Sequence, residues 1–183
     1  MARWLAALGG LVLVAAGALA LVLFLGSRDS GEITGAEGPG RQFPSQCADH
    51  RRTPPGFEFN SQPPTSGPHR PRLIGRDSVE LGNDALLHAL ELGNVVIAYP
   101  SAQPPGELAK VQQAVSGPYD AEIAAAGQAV ILGRRPDVDG VVALAWGRQL
   151  EASSPDDPAL RRFVEQWLGN VEASTRDEAC QPS

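Results

Sequence analysis

The sequence predicts an α+β domain built as a two-layer sandwich, in which helices pack on a mixed or mostly antiparallel sheet, behind an N-terminal transmembrane helix. Three observations support this prediction: a long apolar run at the start, three short apolar segments of strand length, and helical signals between and after them. The order strand, helix, strand, strand, helix is typical of helices that cover one sheet.

The first apolar run is long enough to cross a bilayer. Residues Trp4 to Leu25 carry no charge, and about 20 apolar residues in a helix span the hydrocarbon core. Arg3 precedes the run and no positive excess follows it, so the positive-inside rule places the N-terminus in the cytoplasm. A cleaved signal peptide is the alternative, but the apolar run continues past the small residues Ala18 and Ala20. We expect a single-pass protein of the cell membrane with an extracytoplasmic C-terminal domain.

The remaining chain divides by composition. Residues 1–26 form the predicted cytoplasmic stub and anchor, residues 27–46 are rich in glycine and charge and predict a flexible tether, and residues 47–183 predict one globular domain. The chain has 15 basic and 21 acidic residues, a net charge of -6, which opposes binding to phosphate backbones. We therefore expect the membrane as a partner and exclude nucleic acid.

The two cysteines lie at the ends of the predicted domain. An oxidising compartment favours a disulfide between Cys47 and Cys180. A reactive thiol or a thiolate metal ligand is the alternative, but neither cysteine belongs to a CxxC pattern.

A proline-rich loop precedes the first strand. Its four prolines restrict the backbone to extended and turn conformations, and Thr65, Ser66 and Gly67 supply turn chemistry between them. His69 ends the loop on a stiff backbone. The loop is either a well-capped structural turn or a rigid support that presents His69 to a ligand.

A short helix is predicted next. Asn83 or Asp84 is a suitable N-cap and Gly93 a suitable residue after the C-terminus. His88 and Glu91 lie one turn apart in this helix and could share a ligand.

The rest of the chain alternates strands and helices. The apolar segment Val95 to Tyr99 predicts a buried strand, and Pro104 and Pro105 open a helix that continues to about Ser116. Segments Gln128 to Gly133 and Val141 to Trp146 predict two strands that pair antiparallel. The last helix is the clearest: Asp156 or Asp157 caps it, Pro158 occupies its first turn, and an apolar stripe follows at helical spacing until Gly169.

Several of these strings occur together in one known family. The loop PPTSGPH (Pro63 to His69), then HALELG leading into VVIAY, and later AWG resemble the bacterial, membrane-anchored domain of unknown function 3105 family. The resemblance implies that His50, His69, His88 and Glu91 occupy positions where the family has functional side chains. This chain has Leu92 where the family typically has a further histidine. The family has no settled activity.

The resemblance implies a metal site. His50, His69 and His88 are then expected to lie close together, with Glu91 as the fourth ligand. Imidazole and carboxylate ligands suit Zn(II) or Cu(II), and the absence of methionine after Met1 disfavours Cu(I).

Two other functions compete with metal binding. The first is recognition of an envelope partner by the rigid loop PPTSGPHRPR, through Thr65, Ser66, His69, Arg70 and Arg72; this is the function that the sequence favours. The other is a hydrolase with Ser66 as nucleophile and a histidine as base. No GxSxG motif supports the hydrolase, and no catalytic residue is assigned.

Overall fold

The computed structural model describes residues 38–171. The strands are β1 (Arg41–Gln42), β2 (Val79–Glu80), β3 (Val95–Tyr99), β4 (Val130–Arg134), β5 (Val141–Ala145) and β6 (Arg148–Ala152). The helices are α1 (Asn83–Glu91), α2 (Gly106–Val115), α3 (Ala121–Ala125) and α4 (Pro158–Trp167).

The strands form one mixed sheet of six strands in the order β1-β6-β5-β3-β4-β2. Strand β3 is central, parallel to β4 on one side and antiparallel to β5 on the other. The predicted mixed sheet is therefore confirmed. The predicted antiparallel pairing of β4 with β5 is wrong, because the connection through α2 and α3 returns the chain parallel to β3 and leaves β3 between those two strands.

Both faces of the sheet are covered. Val96 and Ala98 of β3 pack in a core cluster with α1, whereas Val95, Ile97 and Tyr99 pack in a second cluster with α2 and α4. All five side chains of β3 are buried, as expected for a strand without polar alternation between two helical layers. The predicted two-layer sandwich is therefore corrected to three layers.

The three predicted helices form. The Asp157 side chain accepts a hydrogen bond from the backbone N–H of Ala159 and so caps α4, with Pro158 in the first turn as predicted. Helix α1 differs at its start: Gly82 is the N-cap and supplies no side-chain hydrogen bond. Asn83 and Asp84 do not cap the helix, because their oxygens accept from Arg135 and from the backbone of Arg70.

Strands β1, β2 and β6 and helix α3 were not predicted, because each is very short or carries polar residues. Strand β6 follows β5 after a turn of two residues, Trp146 and Gly147, and Gly147 has a φ of +66°. Strand β1 pairs with β6, and the indole N–H of Trp167 donates to the carbonyl oxygen of Pro39. The fold thus includes residues that the sequence assigned to the flexible tether.

Two predictions concern other parts of the chain. Among the helices within residues 38–171, none is both long and apolar enough to span a bilayer. The predicted anchor, Trp4 to Leu25, and Cys180 lie outside those residues. The anchor and the Cys47–Cys180 disulfide therefore stay predictions.

Candidate metal centre

Three parts of the chain meet at the candidate site: the segment with His50, the end of the proline-rich loop with His69, and the C-terminal half of α1 with His88 and Glu91. One ligand atom from each of His50, His69, His88 and Glu91 can be chosen so that all four atoms lie within 4.8 Å of one another. Helix α1 places His88 and Glu91 one turn apart, on the side that faces the loop. The structure thus brings together all four side chains of the predicted site.

The carboxylate of Glu91 is the centre of this cluster. Its two oxygens lie 3.0 and 2.8 Å from Nε2 of His50, and Oε2 also lies 3.1 Å from Nε2 of His69. Nδ1 of His88 is 3.5 Å from the same Oε2. Three imidazoles therefore direct nitrogen atoms at one carboxylate.

His69 is held most firmly. Its side chain is fully buried, and its Nδ1–H donates to the carbonyl oxygen of Gly67 at 2.9 Å. Because that hydrogen bond keeps a proton on Nδ1, Nε2 is the nitrogen that faces the cluster, and it can bind a metal once it releases the proton that it donates to Glu91. The backbone N–H of His69 donates to the carbonyl oxygen of Asp49, which brings the neighbouring residue His50 to the site.

His88 supplies a weakly paired nitrogen. Its Nδ1 is buried, and its separation of 3.5 Å from Oε2 of Glu91 is too long for a good hydrogen bond. A buried polar atom without a hydrogen bond is destabilising, and a metal ligand role is one way to satisfy it. The centre of the His88 ring lies 5.9 Å from that of His69 and 6.1 Å from that of His50.

The Glu91 carboxylate supplies the negative charge of the cluster. Burial alone would raise the pKa of Glu91, but hydrogen bonds to His69 and His50 outweigh burial, and the pKa falls to about 2. Burial disfavours the charged form of His69, yet Glu91 and the Gly67 carbonyl raise the pKa of its imidazole above the ordinary value. Burial lowers the pKa of His88 and so favours its neutral imidazole. An ionised carboxylate thus faces a neutral nitrogen ligand.

The site is reached from solvent on the His50 side. The His50 side chain is 51% exposed, whereas that of His88 is 14% exposed and that of Glu91 is 19% exposed. An ion could enter past His50 without unfolding of the loop.

The loop itself is buried, which agrees with the alternative of a well-capped structural turn. Thr65, Ser66 and His69 are fully buried. The Thr65 carbonyl oxygen accepts from the N–H of Gly147, and the Ser66 hydroxyl oxygen accepts from the N–H of Gln46. These hydrogen bonds fasten the loop to its neighbours, because a buried backbone needs partners for its polar groups.

This burial decides between the proposed roles of the loop residues. Of the predicted partner-binding residues, only Arg70 and Arg72 are exposed. Ser66, the candidate nucleophile of a hydrolase, is inaccessible and uses its hydroxyl oxygen in a structural hydrogen bond. The structure gives no support to Ser66 as a nucleophile.

Three residues that contribute to the site were not predicted to do so. Gly67 orients His69 through its carbonyl oxygen. The ring of Trp146 lies 6.3 Å from that of His69 in an edge arrangement, and Gly147 anchors the loop. Neither glycine nor tryptophan is a metal ligand, so residue type alone could not point to these three positions. The available signal was their place in the strings PPTSGPH and AWG, which resemble the family.

Leu92, the residue at the position of the family's further histidine, is half-buried. It lines a narrow crevice together with His88. It therefore borders the site without contributing a ligand atom.

Comparison with known proteins gives one match. Residues 50–182 match the sequence model of a family described as Protein of unknown function (DUF3105). No curated protein and no solved structure is found to be similar.

Proposed function

The chain belongs to the family described as Protein of unknown function (DUF3105), and from that premise we propose that its folded domain binds Zn(II) or Cu(II) through His50, His69, His88 and Glu91. One observation carries the proposal: ligand atoms from three separate parts of the chain converge within 4.8 Å. Side chains this far apart in sequence meet only when the fold places them together. Because the loop is buried, metal binding now ranks above partner recognition.

The types of ligand select the metal. Imidazole nitrogen and carboxylate oxygen suit Zn(II) and Cu(II), whereas the thiolate and thioether groups that hold Cu(I) do not occur in the cluster. The hydrogen bond from His69 Nδ1–H to the Gly67 carbonyl oxygen is the outer contact that commonly orients a histidine ligand.

The distances fit a site that tightens on binding. Four atoms at about 2.0–2.2 Å from a tetrahedral zinc ion lie about 3.3–3.6 Å apart. Rotation of the exposed His50 side chain and of Glu91 can shorten the separations that now reach 4.8 Å. The buried His69 need not move.

A second function rests on the arginines beside the loop. We retain partner binding for Arg70 and Arg72, which are exposed on a chain of net charge -6. We also propose that the domain works outside the cell membrane, anchored by Trp4 to Leu25. The sequence alone supports that location.

Metal analysis of the full chain tests the metal site. The protein is made without a polyhistidine tag, exported to its native side of the membrane, and purified in a neutral detergent without chelators. Elemental analysis should find about one zinc or copper ion per chain. His50→Ala and Glu91→Gln should each reduce this content strongly.

The control variant is Glu151→Gln, which removes an exposed carboxylate from β6 that is not a member of the cluster. It should keep the full metal content. A wild-type chain that is metal-free and takes up neither Zn(II) nor Cu(II) at micromolar concentration would exclude the proposal. Equal metal content in the wild-type protein and the His50→Ala and Glu91→Gln variants would place the metal elsewhere.

A further inference from the structure

A second concave site lies at the other end of α1. A cavity of about 750 Å³ opens to solvent between the segment 72–76, strand β2 and the start of α1. Its volume falls within the range of small-molecule sites, roughly 300–1,000 Å³. None of the four side chains of the metal cluster lines this cavity.

The cavity contains two guanidinium groups that are available to an anion, although the chain as a whole is acidic. Arg72 and Arg76 line it, both are exposed, and neither forms an ion pair with any residue between 38 and 171. The two acidic residues of the lining are already paired: Glu80 with Arg134, and Asp84 with Arg70. Two guanidinium groups are therefore left for an anion from solution.

The wall between the two arginines is apolar. Leu73 is 63% exposed, which makes it the most exposed large apolar side chain among those described, and its neighbour Ile74 is buried. Leu81 and Ala85 add apolar surface at the cavity floor. An inorganic ion would leave this surface exposed to water, whereas an organic body would cover it.

We propose that this cavity binds a small organic anion, in which a carboxylate or a phosphate monoester is attached to an apolar body. The anionic group pairs with Arg72 and Arg76, and the apolar body packs on Leu73. Guanidinium groups bind both carboxylate and phosphate through paired N–H donors, so the two anion types share one recognition chemistry. The inference does not depend on the metal site.

Titration calorimetry on the full chain in neutral detergent tests the proposal. The probes are phenyl phosphate and benzoate, with inorganic phosphate as the charge-only probe and benzyl alcohol as the neutral probe. The protein is first stripped of metal with a chelator, because a bound zinc ion would itself attract phosphate. At least one of the two organic anions should bind. Inorganic phosphate and benzyl alcohol should each bind at least about tenfold more weakly than that anion.

Variants locate the binding. The double variant Arg72→Gln/Arg76→Gln should bind the organic anion at least about tenfold more weakly than the wild type does. Arg162→Gln, which changes an exposed arginine on α4, should bind as the wild type does. His50→Ala should also bind normally, which separates this site from the metal cluster. Thermal unfolding of each variant checks that it folds.

Three results would overturn the proposal. The first is no binding of either organic anion at millimolar concentration. The second is unchanged affinity in a folded Arg72→Gln/Arg76→Gln variant, which would place the anion elsewhere. The third is equal affinity for inorganic phosphate and phenyl phosphate, which would show that Leu73 and its neighbours contribute nothing.

Discussion

Nε2 of His50 lies 2.8 Å from Oε2 of Glu91, although 41 residues separate the two in sequence. The contact joins the irregular segment ahead of the proline-rich loop to helix α1. It is exposed on the His50 side, so its removal changes the cluster more than it changes the core. This pair therefore gives the most direct experimental access to the site.

Metal binding should stabilise the fold, because its ligands come from separate parts of the chain that meet only in the folded state. A ligand that binds only the folded state adds about 2.7 kcal/mol at 100 times its Kd. We expect Zn(II) or Cu(II) to raise the unfolding temperature of the metal-stripped full chain by several degrees, measured by calorimetry. His50→Ala and Glu91→Gln should remove most of this increase, and Glu151→Gln should keep it. A similar increase in all four proteins would point to non-specific binding.

Gly67 should tolerate no side chain. Its φ is +128°, and a Cβ atom there would lie 2.8 Å from the Phe59 ring. Gly67→Ala should lower the free energy of unfolding by about 1–3 kcal/mol because it forces a backbone conformation that L-residues rarely adopt. It should also weaken metal binding, since the Gly67 carbonyl oxygen orients His69.

Gly106→Ala is the matched control for Gly67. Gly106 has no positive φ, and a Cβ atom there would contact nothing within 4 Å. Its substitution at the start of α2 should leave both stability and metal affinity nearly unchanged. A Gly67→Ala protein as stable as Gly106→Ala, with normal metal affinity, would show that the loop adapts more easily than the structure indicates.

The cap of α4 should make stability depend on pH. Backbone and side-chain hydrogen bonds from Ala159 and Ser153 hold the pKa of Asp157 below its usual value despite some burial. The carboxylate therefore stabilises the fold above its unfolded pKa, about 3.9, and this contribution is lost as pH falls through the lower folded pKa. At pH 7, Asp157→Ala should cost about 1 kcal/mol in denaturant unfolding.

The difference between wild type and Asp157→Ala should shrink as the pH is lowered below 4. Asp157→Asn should retain part of the stability, since an amide oxygen can still accept from Ala159. Asp156→Ala, which removes the neighbouring carboxylate that accepts from Ser154, should cost less. Equal losses for Asp156→Ala and Asp157→Ala would contradict the assignment of the cap.

A Cys47–Cys180 disulfide should be found in protein from the native compartment. Peptide mapping without reductant should recover the two linked peptides. The bond would close a loop of about 130 residues and stabilise the fold by about 4–5 kcal/mol in the chain-entropy model. Two thiols that alkylate freely in unreduced protein would exclude it.

The mature protein should keep its first 25 residues. Intact mass spectrometry of the purified full chain should give a mass that includes the segment Trp4 to Leu25, because its apolar run is uninterrupted. A mature N-terminus near Leu21 would instead identify a cleaved signal peptide.

Local patterns in the sequence were enough to predict α4 and β3. The Asp157 and Pro158 pair starts a helix by satisfying free N–H groups, and an apolar stripe at helical spacing continues it. The apolar segment Val95 to Tyr99 likewise predicts a buried strand. In both cases the relevant interactions lie within a few residues of each other, so the sequence alone contains them.

The partners of those elements were decided only by the tertiary structure. Apolar residues in β4 and β5 show that both strands are buried, but they do not show which strand lies between them. Strand β3 lies between them because the connection through α2 and α3 returns the chain to form β4 parallel to β3. The sequence similarly determined that the proline-rich loop is stiff. Whether it is exposed depended on Gln46 and Gly147, which are distant in sequence and bind its polar groups.

The same division holds for the candidate metal centre. The sequence by itself determined the types of ligand and, through helical spacing, the proximity of His88 to Glu91. The meeting of His50 and His69 with that pair was decided by the tertiary structure, because the hydrogen bond from His69 N–H to the Asp49 carbonyl oxygen and the contact of the buried His69 with Glu91 create it. Contacts between distant segments depend on the packing of the whole domain, and no local pattern records them.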